Sequence, residues 1–422
     1  MIVEKHISIE GNHKLSGEIN VKGAKNAVLK EMILPILAEG KYLLKNVPLI
    51  DDVEYMQDVL KVLGINSNFK NDSLEIVSPS TIGVEAPYEI VQKMRASIII
   101  LGPLLARCGE ARIAFPGGDQ LGPRPVQMHL DALEKMGANF ELDHGVLIGK
   151  TDGLNGVEIN LPYASVGATE NTLLAAVLAK GRTVIENAAR EPEIVDIVNM
   201  LIKMGANISG AGTSEIIVEG VDKLNPTDHE IIGDRIAAGT FLAAILSTKG
   251  SGKVNGINPE HLPMELKKLG EMGAKIDSTE TSINIEYRDN LQSIELSTLP
   301  FPGIATDLQP IFGSALLLAE GTSILTENVY DQRFQWIPEA QRMGANIQTG
   351  WQHAMIKGVK TLSGAPVHAT DIRTGASLVI AALQADGLST ITGIDHINRG
   401  YEDIVASLTS LGSTIEYNDN HG

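Results

Sequence analysis

Lys25, Arg95, Arg124, Arg333, Arg373 and Arg399 come from both halves of a chain that is otherwise acidic, with 34 lysines and arginines against 52 aspartates and glutamates. Each stands at the start of an apolar helical run or in the loop after a short strand. Asn26, Ser165, Thr306, Asp307, Asp119 and Glu191 share those two kinds of place. Cations gathered beside helix N-termini, whose free N–H groups and partial positive charge favour anions, make a seat for a polyanionic, phosphate-bearing ligand. Taken singly, these residues have plainer readings. Asn26, Ser165, Thr306 and Asp307 fit helix N-caps, Gly117-Gly118-Asp119 fits a turn, and Arg333 and Arg399 fit a solvated surface. Their shared position in a repeat is what points to a site.

The repeat is marked by a helix-end signature, Leu-x-x-Met/Leu-Gly-Ala, whose six copies end on Gly64, Gly137, Gly205, Gly273, Gly344 and Gly412, at spacings of 73, 68, 68, 71 and 68 residues. Each glycine follows an amphipathic run and precedes an alternating one, which is a helix, a glycine cap and a strand. A second landmark keeps the same period: an Ala-rich apolar helix, as in DRIAAGTFLAAILSTKG, closed by Gly40, Gly109, Gly181, Gly250, Gly321 or Gly387. The unit is therefore apolar helix, turn, strand, loop, amphipathic helix, turn, strand. Helices apolar nearly all round must lie inside, with strands and amphipathic helices wrapped around them. A buried helix of about 15 residues advances roughly 22 Å. The strand after it returns roughly 18 Å. Helix starts and post-strand loops thus share one end of every unit, and facing domains would enclose their cations in a basic cleft.

Six units on 422 residues exceed what one core supports and divide into two domains of three. The composition, 43% hydrophobic and 20% charged, is that of a soluble protein. MIVEKHISIEG lacks the features of a secretory signal, and no apolar stretch reaches a membrane span, so a cytoplasmic protein is expected. The net charge of −18 would repel nucleic acid and anionic lipid, leaving small molecules as partners. The single cysteine, Cys108, cannot form an internal disulfide, and the ten histidines lack zinc-motif spacing, so no structural metal is expected. Nothing in the sequence speaks to oligomeric state.

GAKNA at 23–27, MRAS at 94–97, PGGD and GPRPV within 116–126, SVGAT at 165–169, ENAAREPEIVD at 186–196, GDRI at 233–236, ATDLQ at 305–309 and NRGYE at 398–402 together resemble the UDP-N-acetylglucosamine 1-carboxyvinyltransferase family. The resemblance covers essentially the whole chain and implies a two-domain inside-out α/β barrel like that of the EPSP synthases, with six repeats of about 70 residues, three per domain. It places one domain near 23–234, carrying a mobile acid loop at 116–125, and the other on 1–22 plus 235–422, with the active site between them. The implied reaction moves enolpyruvate from phosphoenolpyruvate to the 3′-hydroxyl of UDP-N-acetylglucosamine and releases phosphate, the committed step of peptidoglycan synthesis, with no cofactor.

By the same resemblance Asp119 is the general acid and Asp307 the base at the 3′-hydroxyl, with Lys25 and Arg399 also catalytic. Lys25, Asn26, Arg124 and Arg399 hold phosphoenolpyruvate. Arg95, the run Arg124, Pro125, Val126, Gln127 and Met128, then Ser165, Val166, Asp307 and Val329 contact the sugar nucleotide. Arg333, Arg373 and Glu191 support them. Three positions depart from the usual pattern: Asp119 for cysteine, Lys30 for proline and Gln127 for aspartate. The first removes the thiolate that fosfomycin alkylates, so resistance to the drug is expected. Rival readings are an enolpyruvyl transferase for another nucleotide, a shikimate-phosphate enzyme, and a nucleotide-binding regulatory pseudoenzyme.

Overall fold

A computed structural model describes residues 5–91, 95–114 and 126–418. The chain forms two units, one of residues 23–232 and one of residues 1–22 with 233–422. Each has its own hydrophobic core, drawn from 24–231 in the first and from 7–21 with 236–415 in the second.

Among the described residues the strands form six four-stranded sheets, all wired alike. In the 23–232 unit, Glu85–Ala86 pairs in parallel with Glu110–Ala114, the strand that follows a buried helix. That strand is antiparallel to Val146–Lys150, which closes a hairpin with Asn139–Asp143. The ring of three sheets is completed when Asp228–Glu230 returns in parallel to Gly40–Lys45. In the other unit the N-terminal residues supply two strands. His6–Glu10 lies between Leu388–Thr392 and Thr414–Asn418, and Ser16–Asn20 runs parallel to Ser251–Asn255. Alternation follows the pleat: in Arg182–Glu186, Thr183 and Ile185 point inward.

The apolar helices are buried as their composition requires. Arg235–Ser247 hides all but one of its residues, and Ile372–Gln384 all but Ile372. Their starts are fixed by aspartates: Asp234 accepts from the N–H groups of Ile236 and Ala237, and Asp371 from those of Arg373 and Thr374. Close helix contact is made specific by polar bonds. Asn171 of Val166–Ala176 accepts the Gly102 N–H at 2.7 Å and donates to the Ile98 carbonyl at 3.1 Å.

The six signature glycines share one structural role. All have positive φ, from 82° at Gly64 to 108° at Gly273. In five of them the residue after the glycine bonds back to a carbonyl five positions earlier, as Ala138 N–H does to Leu133. That is the helix-ending bond of a left-handed C-cap. The outer helices Asp51–Val62, Gln127–Lys135, Pro192–Lys203, Pro263–Glu271, Ile337–Arg342 and Ile404–Ser410 each end two residues before one of these positive-φ glycines. No helix among the described residues is long and apolar enough to cross a membrane.

Candidate active site

In the unit containing 233–422, the Thr306–Leu308 turn leads into the buried helix Gln309–Ala315. Asp307 is not its cap. One carboxylate oxygen accepts from Arg333 at 3.0 Å, and the other from Arg373 at 2.8 Å. Arg333 comes from the loop after strand Thr322–Thr326 and also donates to the Thr306 hydroxyl at 3.2 Å. Both arginine side chains are 7% exposed, whereas the Asp307 side chain keeps 24%. Two charge-assisted bonds therefore orient a partly exposed carboxylate, which when ionised only accepts hydrogen bonds. Burial works against the Arg373 charge, but Asp307, Tyr401 and Asp234 together raise it above the ordinary guanidinium range. Tyr401 shares a 2.8 Å hydrogen bond with Thr240. Arg399, two residues before it, is half-buried at the end of Ile394–Asn398. Val329 is 36% exposed, its N–H tied to the buried Glu327 carboxylate at 2.9 Å.

In the 23–232 unit, Lys25 opens the short helix Lys25–Glu31 and pairs with Asp52 at 2.8 Å, the two side chains 10% and 4% exposed. Asn26 follows, half-buried; the cap position belongs to Ala24. Ser165 does cap its helix, accepting the Ala168 N–H, with Val166 as the first helical residue. Val126 precedes Gln127–Lys135, in which Gln127 is exposed and donates to Asp131 at 2.6 Å. Met128 lies half-buried against the core and lines a hollow of about 550 Å³ with Asp131, Lys135, Ile159, Leu161 and Pro162. Glu191 is buried immediately before helix Pro192–Lys203. Arg95 begins the turn Arg95–Ile100. The proposed acid loop at 116–125, with Asp119, Arg124 and Pro125, lies outside the described residues. Cys108 ends helix Leu101–Cys108, where burial pushes its thiol up despite neighbouring Arg107.

Two groups of buried charges escaped sequence reasoning. Glu31, Asp196 and His229 converge from two helices and a strand, their ligand atoms within 4.8 Å of one another, the one metal-like grouping among the described residues. His229 Nε2 lies 2.9 Å from Asp196 and 3.6 Å from Glu31, while Lys203 Nζ is 3.1 Å from its Nδ1. An ammonium only donates. The ring proton is therefore directed to Nε2 and toward Asp196, which occupies the atom a metal would need. Burial, then the Asp196 charge and hydrogen bond, raise the Glu31 carboxyl well above the usual range against the pull of Lys203 and Lys30. The second group pairs Lys30 with Glu170 at 3.6 Å. Its signal was present in the sequence as a glutamate inside the apolar run VGATENTLLAAVLAKG. The first group gave none, because its members are scattered from 31 to 229.

Comparison with known proteins places the chain in a family. Residues 9–408 match the family model described as EPSP synthase (3-phosphoshikimate 1-carboxyvinyltransferase). A UDP-N-acetylglucosamine 1-carboxyvinyltransferase from Corynebacterium jeikeium is 46% identical over 97% of this chain and 98% of its own. One from Thermotoga maritima is 45% identical over 97% and 98%. Among solved structures, the enolpyruvyl transferase NikO from Streptomyces tendae has the same fold, with a TM-score of 0.89 at 23% identity over 98% of this chain and 99% of that one. An EPSP synthase from Acinetobacter baumannii superposes with a TM-score of 0.76 at 21% identity over 98% and 100%.

Proposed function

The chain belongs to the EPSP synthase family and, within it, to the UDP-N-acetylglucosamine 1-carboxyvinyltransferases, and on that premise we propose that it transfers the enolpyruvyl group of phosphoenolpyruvate to the 3′-hydroxyl of UDP-N-acetylglucosamine. The observation that carries the reading is Asp307, a carboxylate oriented by two guanidinium groups yet open to solvent. In the first half-reaction Asp119 protonates the methylene carbon of phosphoenolpyruvate, the sugar hydroxyl attacks the adjacent carbon, and Asp307 takes the hydroxyl proton. Asp119, now a carboxylate, then takes a methyl proton from the ketal as inorganic phosphate leaves with the proton held by Asp307, restoring the double bond on the sugar nucleotide and both side chains. No redox change occurs, so the side chains need supply only proton transfer and charge stabilisation.

Lys25, Asn26, Arg124 and Arg399 are assigned to the phosphate and carboxylate of phosphoenolpyruvate. Arg95, the segment Arg124 to Met128, Ser165, Val166 and Val329 are assigned to the sugar nucleotide, with Glu191, Arg333 and Arg373 in support. The hollow beside Met128 favours that placement of the nucleotide. Asp119 in place of a cysteine leaves fosfomycin without a thiolate to alkylate. One assay tests the reading. Phosphate release from phosphoenolpyruvate should require UDP-N-acetylglucosamine, fail with shikimate 3-phosphate, and continue undiminished when fosfomycin is added. Turnover with shikimate 3-phosphate alone, or with neither acceptor, would overturn it.

A further inference from the structure

Lys30 stands one turn after Asn26, and its ammonium donates to the Asn26 carbonyl at 2.9 Å. On its other side, 3.6 Å away, is Oε1 of Glu170, in the helix that Ser165 caps. The Glu170 side chain is 1% exposed and that of Lys30 is 13% exposed. Among the described residues neither Glu170 oxygen has a hydrogen-bond partner within 3.5 Å, and this ammonium is the cation paired with it. Burying both charges costs desolvation that a hydrophobic pair of similar volume would avoid. What the ion pair adds over such a pair is direction: it pins one backbone carbonyl, and that carbonyl belongs to a residue assigned to phosphoenolpyruvate.

Resting on the function proposed above, we infer that Lys30 is a positioning residue, held by Glu170, that fixes the backbone at Asn26 and so sets how Lys25 and Asn26 meet phosphoenolpyruvate. The device also ties the start of one substrate-binding helix to the body of the other, which carries Ser165 and Val166. Among the described residues the charged groups facing Glu170 are Lys30 from one side, Glu193 from helix Pro192–Lys203 and Glu191 just before that helix. Burial pushes the Glu170 carboxyl up to about 7; Lys30 opposes the rise, and Glu193 and Glu191 add to it. Below that pH the carboxyl takes a proton and its hold on Lys30 weakens. The apparent affinity for phosphoenolpyruvate should therefore fall as the pH drops through neutrality.

The test is steady-state kinetics of phosphate release for the wild type, Lys30→Met, Lys30→Arg, Glu170→Gln and the Lys30→Met/Glu170→Gln double variant, between pH 6 and 8.5, with the melting temperature of each. Loss of one charge-assisted bond should raise KM for phosphoenolpyruvate in Lys30→Met by about tenfold, with kcat changed much less. Lys30→Arg should recover most of the loss. Glu170→Gln should flatten the pH dependence of KM around neutrality. The double variant, which buries no unpaired charge, should regain the melting temperature but not the KM. It keeps the test open should Lys30→Met alone fold poorly. A double variant that regains both, or a Lys30→Met enzyme with unchanged KM, would reduce the pair to scaffolding. A wild type that releases no phosphate with UDP-N-acetylglucosamine would sink the parent function instead, so the two failures are separable.

Discussion

Around Asp307 one carboxylate meets two guanidinium groups and keeps a quarter of its surface. Around Glu31 two carboxylates meet one imidazole, with an ammonium behind it, and all three acid and imidazole side chains are closed off from solvent. The first cluster has cations in excess and an accessible acceptor. The second has acids in excess and is buried. Their chemistry diverges accordingly: two guanidinium groups hold a partly exposed carboxylate in place, whereas burial, reinforced by the Asp196 charge, raises the Glu31 carboxyl. Both clusters sit on the same repeated scaffold, so the contrast comes from side chains and not from the backbone plan.

The largest effect expected from breaking this contrast is at Asp307. Asparagine keeps the shape and loses the basic oxygen, and loss of a general base costs about 10²–10⁴ in rate. Asp307→Asn should lower phosphate release in that range, compared per folded molecule, because leaving Arg333 and Arg373 buried without their carboxylate should also lower the melting temperature. A loss below tenfold in a well-folded variant would remove Asp307 from the role of base.

Glu31 offers a smaller effect on stability and none on the chemical step. Its carboxyl titrates higher in the folded protein than in the unfolded chain. Between those two values the folded state binds more protons, so stability is greatest below the unfolded value and falls as pH rises through the folded one. Glu31→Gln removes the ionisation and keeps the volume. Denaturant unfolding should find the variant close to wild type at pH 5 and more stable by about 1–3 kcal/mol at pH 9. Parallel pH profiles for the two proteins would show that Glu31 ionises without cost, and the contrast with Asp307 would lose its basis.

What sequence alone made legible follows from the same division. The six glycine-ended helices were visible because a left-handed cap is a local requirement that only glycine meets readily. Burial of the apolar helices was visible because their periodicity leaves no polar face. The candidate site residues were visible as types in recurring places, but their partners were not. Arg373 reaches Asp307 across 66 positions. His229 reaches Asp196 across 33. Asp52, which neutralises Lys25, reads in the sequence only as an acidic residue in the first turn of an outer helix. Ion-pair partners of this kind are chosen by tertiary approach, and no local propensity records them.

The smallest expected effect concerns the scaffold that both clusters share. Gly64 belongs to the unit around Glu31 and Gly344 to the unit around Asp307, and their φ values are 82° and 96°. At neither position would an added Cβ meet any atom within 4 Å. Space is therefore not what selects glycine; the left-handed backbone alone does, at about 1 kcal/mol for an alanine. Gly64→Ala and Gly344→Ala should each lower unfolding free energy by that amount, equally in the two units, and leave turnover unchanged. A much larger loss in one of them would mean that the caps are not equivalent and that the two units differ in backbone as well as in charge.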